Sequence, residues 1–589
     1  MKAIISDISK FCNYIAYYGF TRALHKVYST IKKRVKIRKF IKTSLPEKEI
    51  LELQKKSCFI KAPLISIITP LYNTPIQYLR DMIDSVCNQS YENWQLCLAD
   101  GSDTINHVEE EVNRYCIKCP GKIKYIKLKK NKGISENTNE CIRLADGDYL
   151  AVLDHDDILA PNALFEVVKA INEKDADVIY TDEAIFRTKV GKVVAVHLKP
   201  DFAIDNLRAN NYICHLLVFR KRILDKVGMY RKECDGSQDH DMILRLTEVA
   251  ENIVHIPKVL YFWRAHINSV AGDIKSKQYV AEAGIKAVSD HLIRLGIKAK
   301  VESSNFFPVI YRIKYDLLEK PVISIIISNS NSTSELKVCL DSILEKSTYL
   351  NYEIIIVDYS SCLGSESFNY YKEIGERANV HVLNYKGNTK NCSSIYNFGA
   401  SHANGKYIIF LHSDTKVISQ NWIEEMLMYA QRTDVGAVGA KLYYANDTIQ
   451  HAGICINSSG KDLFRYLHRG EIRYETGYMG RLIYAQNLSA VSMACTMISK
   501  SIFDKYGGFD NELGDDYCMV DFCLRMCYTG LVTVLTPYAE LYHYDKKIKS
   551  KKQLSNYDVY VYFKKRWKRV LENGDPYYGS NLISNSYLL

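Results

Sequence analysis

Three aspartates crowd the end of one apolar run, Tyr149-Leu-Ala-Val-Leu-Asp154-His-Asp156-Asp157. Carboxylates this close repel one another and raise each other's proton affinity, which a plain turn has no reason to tolerate. A hard divalent cation such as Mg²⁺ or Mn²⁺ removes that repulsion, and it needs few protein carboxylates when phosphate oxygens and water complete its shell. The competing reading is a solvated turn in which Asp157 caps the helix that starts near Pro161. Further along, Gly236-Ser-Gln-Asp239-His-Asp241 brings two more acids to the start of a helical stretch. A carboxylate within hydrogen-bond reach of an attacking hydroxyl can act as its general base. An acid at a helix start also has the ordinary role of meeting the helix dipole.

These residues need a frame, and the sequence supplies it twice. Pro63-Leu-Ile-Ser-Ile-Ile-Thr-Pro70 and Pro321-Val-Ile-Ser-Ile-Ile-Ile-Ser328 are near-copies 258 residues apart, the mark of an internal repeat. Each reads as a buried strand, short, rich in Ile and ended by turn residues. Each is followed by a helix-like stretch carrying Asp84-Ser85-Val86 or Asp341-Ser342-Ile343, then by a second apolar strand ending in aspartate, Trp94–Asp100 or Tyr352–Asp358. A third strand ends the same way, Tyr149–Asp154 or Tyr407–Asp414. Alternating strands and helices predict α/β domains with a mostly parallel sheet covered on both faces. Ligands of such sheets bind beyond the carboxyl ends of the strands, where these aspartates fall. The chain divides into a basic amphipathic helical segment (1–59), a first domain (60–300), a linker (301–320), a second domain (321–550) and a tail (551–589). The tail begins with a helical, basic, aromatic stretch, Tyr557–Leu571.

At 589 residues, with 47% hydrophobic and 25% charged, the composition is globular and excludes a disordered or fibrous chain. No apolar run nears the ~18 residues that span a bilayer, and no secretory signal pattern opens the sequence. Most of the 17 cysteines are scattered singly, which favours reduced thiols over a disulfide framework. Cys116 and Cys119 lack a second pair for zinc, and Cys518, Cys523 and Cys527 read as core. The net charge of +11 sits at the ends: residues 1–56 hold 14 Lys/Arg against 4 Asp/Glu, and residues 543–569 hold 10 against 2. Ile4, Ile8, Phe11, Ile15 and Tyr18 form an apolar helical stripe ahead of the basic run 32–39. That pairing suits a helix on an anionic membrane surface, and equally a helix packed on the body with a solvated basic face. The expected location is cytoplasmic, peripheral on the inner face of the membrane under the first reading. No nucleic-acid recognition motif accompanies the charge, so nucleic acid is not expected as a partner.

In order along the first half, Thr69-Pro-Leu-Tyr-Asn73, Asp100-Gly-Ser102, Asn131-Lys-Gly-Ile-Ser135, Leu153-Asp-His-Asp-Asp157, Gly236-Ser-Gln-Asp-His-Asp241 and Trp263-Arg-Ala-His266 resemble the motifs of bacterial inverting glycosyltransferases of family 2, which have the nucleotide-sugar-binding GT-A fold. The second half follows through Asn351–Asp358, Asn397–Asp414, Val435–Gly453, Ala485–Ser499 and Phe509–Tyr544. The layout, including the ending Asp575-Pro-Tyr-Tyr-Gly-Ser-Asn-Leu582, is similar to two-domain members that build O-antigen, capsule or other surface polysaccharides, often described as rhamnosyltransferases. The resemblance implies two tandem GT-A domains, a UDP- or dTDP-sugar donor, a glycan or lipid-linked glycan acceptor, and Mn²⁺ or Mg²⁺. It implies Asp156 as metal ligand, Asp154 on the metal shell or the nucleotide ribose, and His266 at the metal or diphosphate. Pro70 and Tyr72 would wall the nucleotide base, and Asp100 would accept the imide N–H of uracil or thymine. Asp239 matches the base position. Asp241 would orient the helix start or the acceptor, and Lys132 and Trp263 lie in the donor- and acceptor-binding motifs.

The second half departs from this pattern. Ser328-Asn-Ser-Asn331 stands where relatives usually carry proline and aspartate, and the metal-loop counterpart His412-Ser-Asp414 has one carboxylate. A gapless count from Phe509-Asp510 to Val520-Asp521 puts Cys518-Met519 at the base position, and Met519 cannot accept a proton. Asp515 and Asp516 lie close by, and Asp358, Asp414, Asp521 and His543 remain as second-domain equivalents. The chemistry is therefore expected in the first domain, with the second binding acceptor or stabilising the architecture. Two alternatives stay open: both domains catalytic, as in a bifunctional polymerase, or a carbohydrate-binding scaffold of an assembly complex. A sugar-nucleotide pyrophosphorylase would need a Gly-rich loop after the first strand, and Thr-Pro-Leu-Tyr-Asn has no glycine.

Overall fold

The computed structural model describes residues 20–103, 107–265, 276–305, 307–330, 332–360, 366–387, 391–457, 462–544, 557–579 and 581–582. The stripe from Ile4 to Tyr18 lies outside them, as does His266. The chain forms two compact units, one chiefly of Met1–Lys199 and Ile213–Ala287, the other of Pro200–Tyr212 and Val288–Ser584.

The strands of the first unit are β1 (Ile65–Leu71), β2 (Trp94–Asp100), β3 (Ile123–Lys127), β4 (Tyr149–Val152), β5 (Ile158–Leu159), β6 (Val178–Phe186), β7 (Val193–His197), β8 (Leu217–Arg220) and β9 (Ile253–Arg264). They lie in the order β3-β2-β1-β4-β8-β6-β9-β5, with β7 against β6. The first four are parallel. β8 enters antiparallel to both β4 and β6, and β6 and β9 are again parallel. β2 is buried along its whole length and β1 everywhere except Pro70, as unbroken apolar strands must be when helices cover both faces. The helix Ile76–Cys87 supplies part of that cover through Leu79, Met82, Ile83 and Val86, one stripe at helical spacing.

The second unit opens with a hairpin, β10 (Ala299–Ser303) and β11 (Tyr311–Tyr315), and continues with β12 (Ile323–Asn329), β13 (Tyr352–Asp358), β14 (Val380–Asn384), β15 (Tyr407–His412), β16 (Thr415–Val417), β17 (Val435–Tyr443), β18 (Ile449–His451), β19 (Ile454–Ile456), β20 (Phe464–Tyr466), β21 (Gln486–Leu488), β22 (Cys495–Ser499) and β23 (Val532–His543). Its main sheet runs β14-β13-β12-β15-β22-β17-β23-β16, the order of the first unit strand for strand. The repetition reaches single atoms. Ser66 Oγ accepts from Gly147 N and Ser324 Oγ accepts from Gly405 N, both at 2.8 Å. The same hydroxyls donate to Gln95 and Glu353. A Cβ on either glycine would lie 2.5 Å from main-chain atoms, Leu64 O or Ser324 N, so the close approach admits only glycine at both places.

Three features differ from the linear division of the sequence. Residues 301–320 are no simple linker: β10 and β11 pair antiparallel, and Arg312 meets the buried Glu425. The helix Phe20–Ser44 buries Ile37 and Ile41 against the first unit near β7, while Arg34, Arg38 and Lys39 stay exposed; this part of the basic segment packs on the body. Among the described residues no helix is long and apolar enough to cross a membrane. Finally, Pro200–Tyr212, which precedes β8 in sequence, belongs to the second unit. There Arg432 meets both oxygens of the buried Asp205 at 2.5 and 3.3 Å. Asn487 completes the joint: its Nδ2 donates to Asp205 at 2.7 Å, its Oδ1 accepts from Asp205 N, and its N donates to Asn206. Arg432→Ala takes the close cation from the buried Asp205, leaving Arg208 at 3.8 Å, and should cost the second unit about 3 kcal/mol, read as a lower denaturant midpoint, with Arg432→Lys intermediate. An unchanged midpoint in Arg432→Ala would show that this pair does not hold the segment.

Candidate active site

The carboxyl ends of β1, β2 and β4 form the edge where the sequence places its acids. Ligand atoms of Asp154, Asp157 and His215 lie within 4.8 Å of one another. Asp157 is fully buried, and it caps no helix. Its Oδ2 accepts from Tyr261 OH at 2.6 Å and its Oδ1 from Arg264 N at 2.7 Å, while the helix Ala163–Lys174 begins after Asn162. Arg264 fastens the loop from β9: Nε donates to Asp156 O at 2.6 Å and a terminal nitrogen to Asp81 at 2.9 Å. Its guanidinium sits over Tyr78 and Phe186, 4.3 and 4.7 Å from the ring centres. Asp156 is half-buried, and its side chain is not one of the three. Burial, then the charge of Asp156, pushes the Asp154 carboxyl up to about 6. Burial and the charges of Asp154 and Asp156 lift Asp157 well above the usual carboxylate range. Carboxyls so displaced, with an imidazole among them, are a donor set that a divalent cation fits.

His215 was not among the residues that the sequence singles out. It stands just before β8, and because β8 runs antiparallel its start lies beside the end of β4. Its backbone is held by a buried ion pair: Lys199 Nζ reaches Glu183 at 3.1 Å and donates to the carbonyls of His215 and Ile213, and Glu183 accepts from His215 N at 3.4 Å. Glu183 also pairs with His197 Nδ1 at 2.8 Å; burial raises its carboxyl, but Lys199 and His197 hold it well below the usual range. The His215 ring stacks on Tyr261, 4.8 Å between centres, and puts Nε2 3.5 Å from Asp154 Oδ2. Burial lowers its proton affinity, which keeps the imidazole neutral, the form that binds metal.

Asp239 lies in the first turn of the helix Gln238–Val249. Burial, then the charge of Asp154, lifts it to about 6, and Gln238 Nε2 donates to it at 2.9 Å. Asp241 lies in the same first turn. It is fully buried and clamped by Arg231 at 2.5 Å and Arg245 at 2.7 Å, which fits the reading that it orients the helix start. Asp100 too is buried: Ser102 N and Oγ donate to one oxygen, Tyr125 OH and Lys127 Nζ to the other. Burial raises its carboxyl, yet these bonds hold it below the usual range. The exposed acid on that loop is Asp103, which accepts from Tyr72 OH at 2.6 Å. Tyr72 is exposed and Pro70 half-buried, Lys132 pairs with Glu140 at 3.1 Å, and Trp263 is half-buried near the end of β9.

The second unit repeats the scaffold with altered side chains. Asp521 accepts from Arg525 at 2.8 Å and Trp567 at 3.0 Å and pairs with Arg566 at 3.1 Å. Arg525 also donates to Tyr506 O and Gly508 O, as Arg245 does to Val227 O and Met229 O. Asp521 is thus the counterpart of Asp241, held by arginines inside the fold, and Met519, fully buried, stands where the first unit has Asp239. Asp358 is buried at the end of β13. His412, Asp414 and His543 converge in a second group within 4.8 Å.

Residues 66–228 and 324–507, more than half of the chain, match the sequence family Glycosyl transferase family 2. The chain is 37% identical over 531 residues to "Uncharacterized protein y4gI" of Sinorhizobium fredii, covering 88% of this chain and 58% of that protein. It is 30% identical over 528 residues to "O-antigen biosynthesis protein RfbC" of Myxococcus xanthus, covering 89% of this chain and 40% of that protein, so it spans only about half the length of these relatives. Among solved structures, S. aureus TarS in complex with UDP-GlcNAc aligns with a TM-score of 0.34 at 16% identity, over 39% of this chain and 66% of that one. The chain belongs to glycosyl transferase family 2, and carries that family's domain twice.

Proposed function

We propose that the first unit moves a sugar from a UDP- or dTDP-sugar to a hydroxyl of a growing surface glycan or lipid-linked glycan, with inversion at C1, and that the second unit does not catalyse. The observation that carries this reading is the pairing of Asp239 with the acidic loop in the first unit, against Met519 at the matching place in the second. The O-antigen relative supports the glycan class. Asp154, Asp157 and His215 would hold the cation, with Asp156 beside them. Bound Mn²⁺ or Mg²⁺ supplies Lewis-acid stabilisation of the departing diphosphate. Asp239 takes the acceptor's proton as the acceptor oxygen bonds to C1 and the C1–O electron pair leaves with the diphosphate. Arg264 and the Glu183–Lys199 pair fix the loop and His215. Pro70, Tyr72 and Asp103 form the wall at which the base is read. The exposed Arg34, Arg38 and Lys39 face outward to meet an anionic membrane, where a lipid-linked acceptor would lie.

Asp239→Asn keeps size and should lower turnover ~10²–10⁴-fold with donor affinity nearly unchanged, whereas Met519→Leu should leave transfer rates at the parental level. Initial rates with one donor and acceptor decide this, and a dead Met519→Leu with an active Asp239→Asn would invert the assignment. Asp521→Asn is an unsuitable control, since it breaks a buried ion pair.

The pH profile follows from Asp239. Only its ionised form accepts a proton, so kcat/KM should fall about tenfold per unit below a pH near 6 and level off above it. A cation favours the ionised form, so the limb in kcat should lie at lower pH than the limb in kcat/KM. Coincident limbs, or none down to pH 5, would count against Asp239 as the base.

A further inference from the structure

The cluster in the second unit is not a weakened copy of the first. Register pins the correspondence. β4 and β15 occupy matching places, with Val152 opposite Leu217 and Phe410 opposite Thr496, so the position of His215 is taken by Ala494. Similarly Ile158 lies opposite Phe262 and Thr415 opposite His543, which puts His543 at the register position of Trp263. His412 replaces Asp154, and Thr415 replaces Asp157. The second unit has therefore lost the imidazole on its β8 equivalent and two of the loop carboxylates. It has gained two imidazoles at other points around the one remaining acid, Asp414.

Their geometry is that of a ligand set. His543 Nε2 lies 3.2 Å from Asp414 Oδ1 and 3.3 Å from His412 Nδ1. Ligands about 2.0–2.1 Å from a common ion are separated by roughly 3.0–3.4 Å in octahedral or tetrahedral arrangement. Proton placement alone cannot satisfy both contacts. A hydrogen on His543 Nε2 serves Asp414 or His412 but not both at full strength. A hydrogen on His412 Nδ1 makes His543 Nε2 an acceptor and sets its lone pair against the carboxylate. A cation accepts all three lone pairs together. His543 is only 5% exposed, and its Nε2 is the atom that faces both Asp414 and His412.

We propose that His412, Asp414 and His543 form a second metal site, selective for a borderline divalent transition metal such as Zn²⁺ or Co²⁺ over Mg²⁺ and Mn²⁺. Two neutral imidazoles and one carboxylate suit the borderline ions, whereas all-oxygen sets suit the hard ones. This site is independent of the catalytic reading of the first unit and stands or falls by metal binding alone.

The test is metal uptake by the full chain after treatment with chelator and desalting. Co²⁺ is titrated and followed by visible absorption, bound Zn²⁺ is counted by elemental analysis, and both are repeated with excess Mn²⁺. The variants are His412→Asn, His543→Gln and, for the first unit, Asp154→Asn, each compared with the parent by thermal melting. The proposal expects one equivalent of Zn²⁺, and the matching Co²⁺ absorption, to survive excess Mn²⁺, to persist in Asp154→Asn and to vanish in His412→Asn and His543→Gln. Since His543 is buried and its variant is the one at risk of misfolding, the half-buried His412 carries the decision if the melts differ. Retention of that equivalent in a normally melting His412→Asn, its loss in Asp154→Asn, its displacement by Mn²⁺, or no uptake at all would each overturn the site.

Discussion

The first unit is organised around keeping like charges together. Asp154, Asp156, Asp157 and Asp239 gather at one edge, where desolvation and neighbouring charge raise the carboxyls of Asp154, Asp157 and Asp239. The opposing charges stand one layer back. Arg264 holds the loop through a carbonyl and its own main-chain N–H, and Lys199 holds the backbone of His215 through Glu183 and two carbonyls. Both act through backbone atoms, which fixes the loop and His215 in place around the carboxyls.

The two units show what happens when that constraint is lifted on one scaffold. Both keep the strand order, the serine–glycine contact between neighbouring strands and the buried aspartate–arginine pair of the helix that carries Asp239 or Met519. They differ where charges crowd. With Met519 in place of the aspartate and Thr415 in place of Asp157, the second unit has no crowd of carboxyls to contain: Asp414 is the one acid of its cluster, with His543 Nε2 3.2 Å away. Such a fold can diverge freely at the edge where its strands end, because the interactions that hold the sheet lie elsewhere.

Much of this was legible in the sequence. The near-copies at Ile65 and Ile323, and the strands ending in Asp100, Asp154, Asp358 and Asp414, gave away two α/β domains and the edge where the acids gather. The count that placed Met519 opposite Asp239 agrees with the ion pairs of Asp241 and Asp521. What stayed hidden depends on antiparallel insertion and on burial. His215 reaches the loop only because β8 enters against the direction of its neighbours, which strand–helix alternation does not foretell. Asp157 looks like a helix cap until β9 supplies Tyr261 and Arg264. The ion pairs that hold Asp241 and Asp521 and the bonds that fill both oxygens of Asp100 are likewise hidden, because motif position says nothing of what fills the space around a carboxylate. The assignment of Pro200–Tyr212 to the second unit rests on Arg432 and Asn487, more than 200 residues further on, beyond any local signal.

With the Asp154 and Asp239 carboxyls lifted to about 6, a cation that binds among them should displace protons, and that linkage is the most direct measure of the account. Mn²⁺ titrated calorimetrically into the full chain, in buffers of different ionisation enthalpy, reports the protons released. Release at pH 6 should exceed release at pH 8, and the difference should collapse in Asp154→Asn. Binding with no dependence on buffer at pH 6 would show that these acids are not held protonated by one another, and would contradict the charge-crowded site on which the whole reading stands.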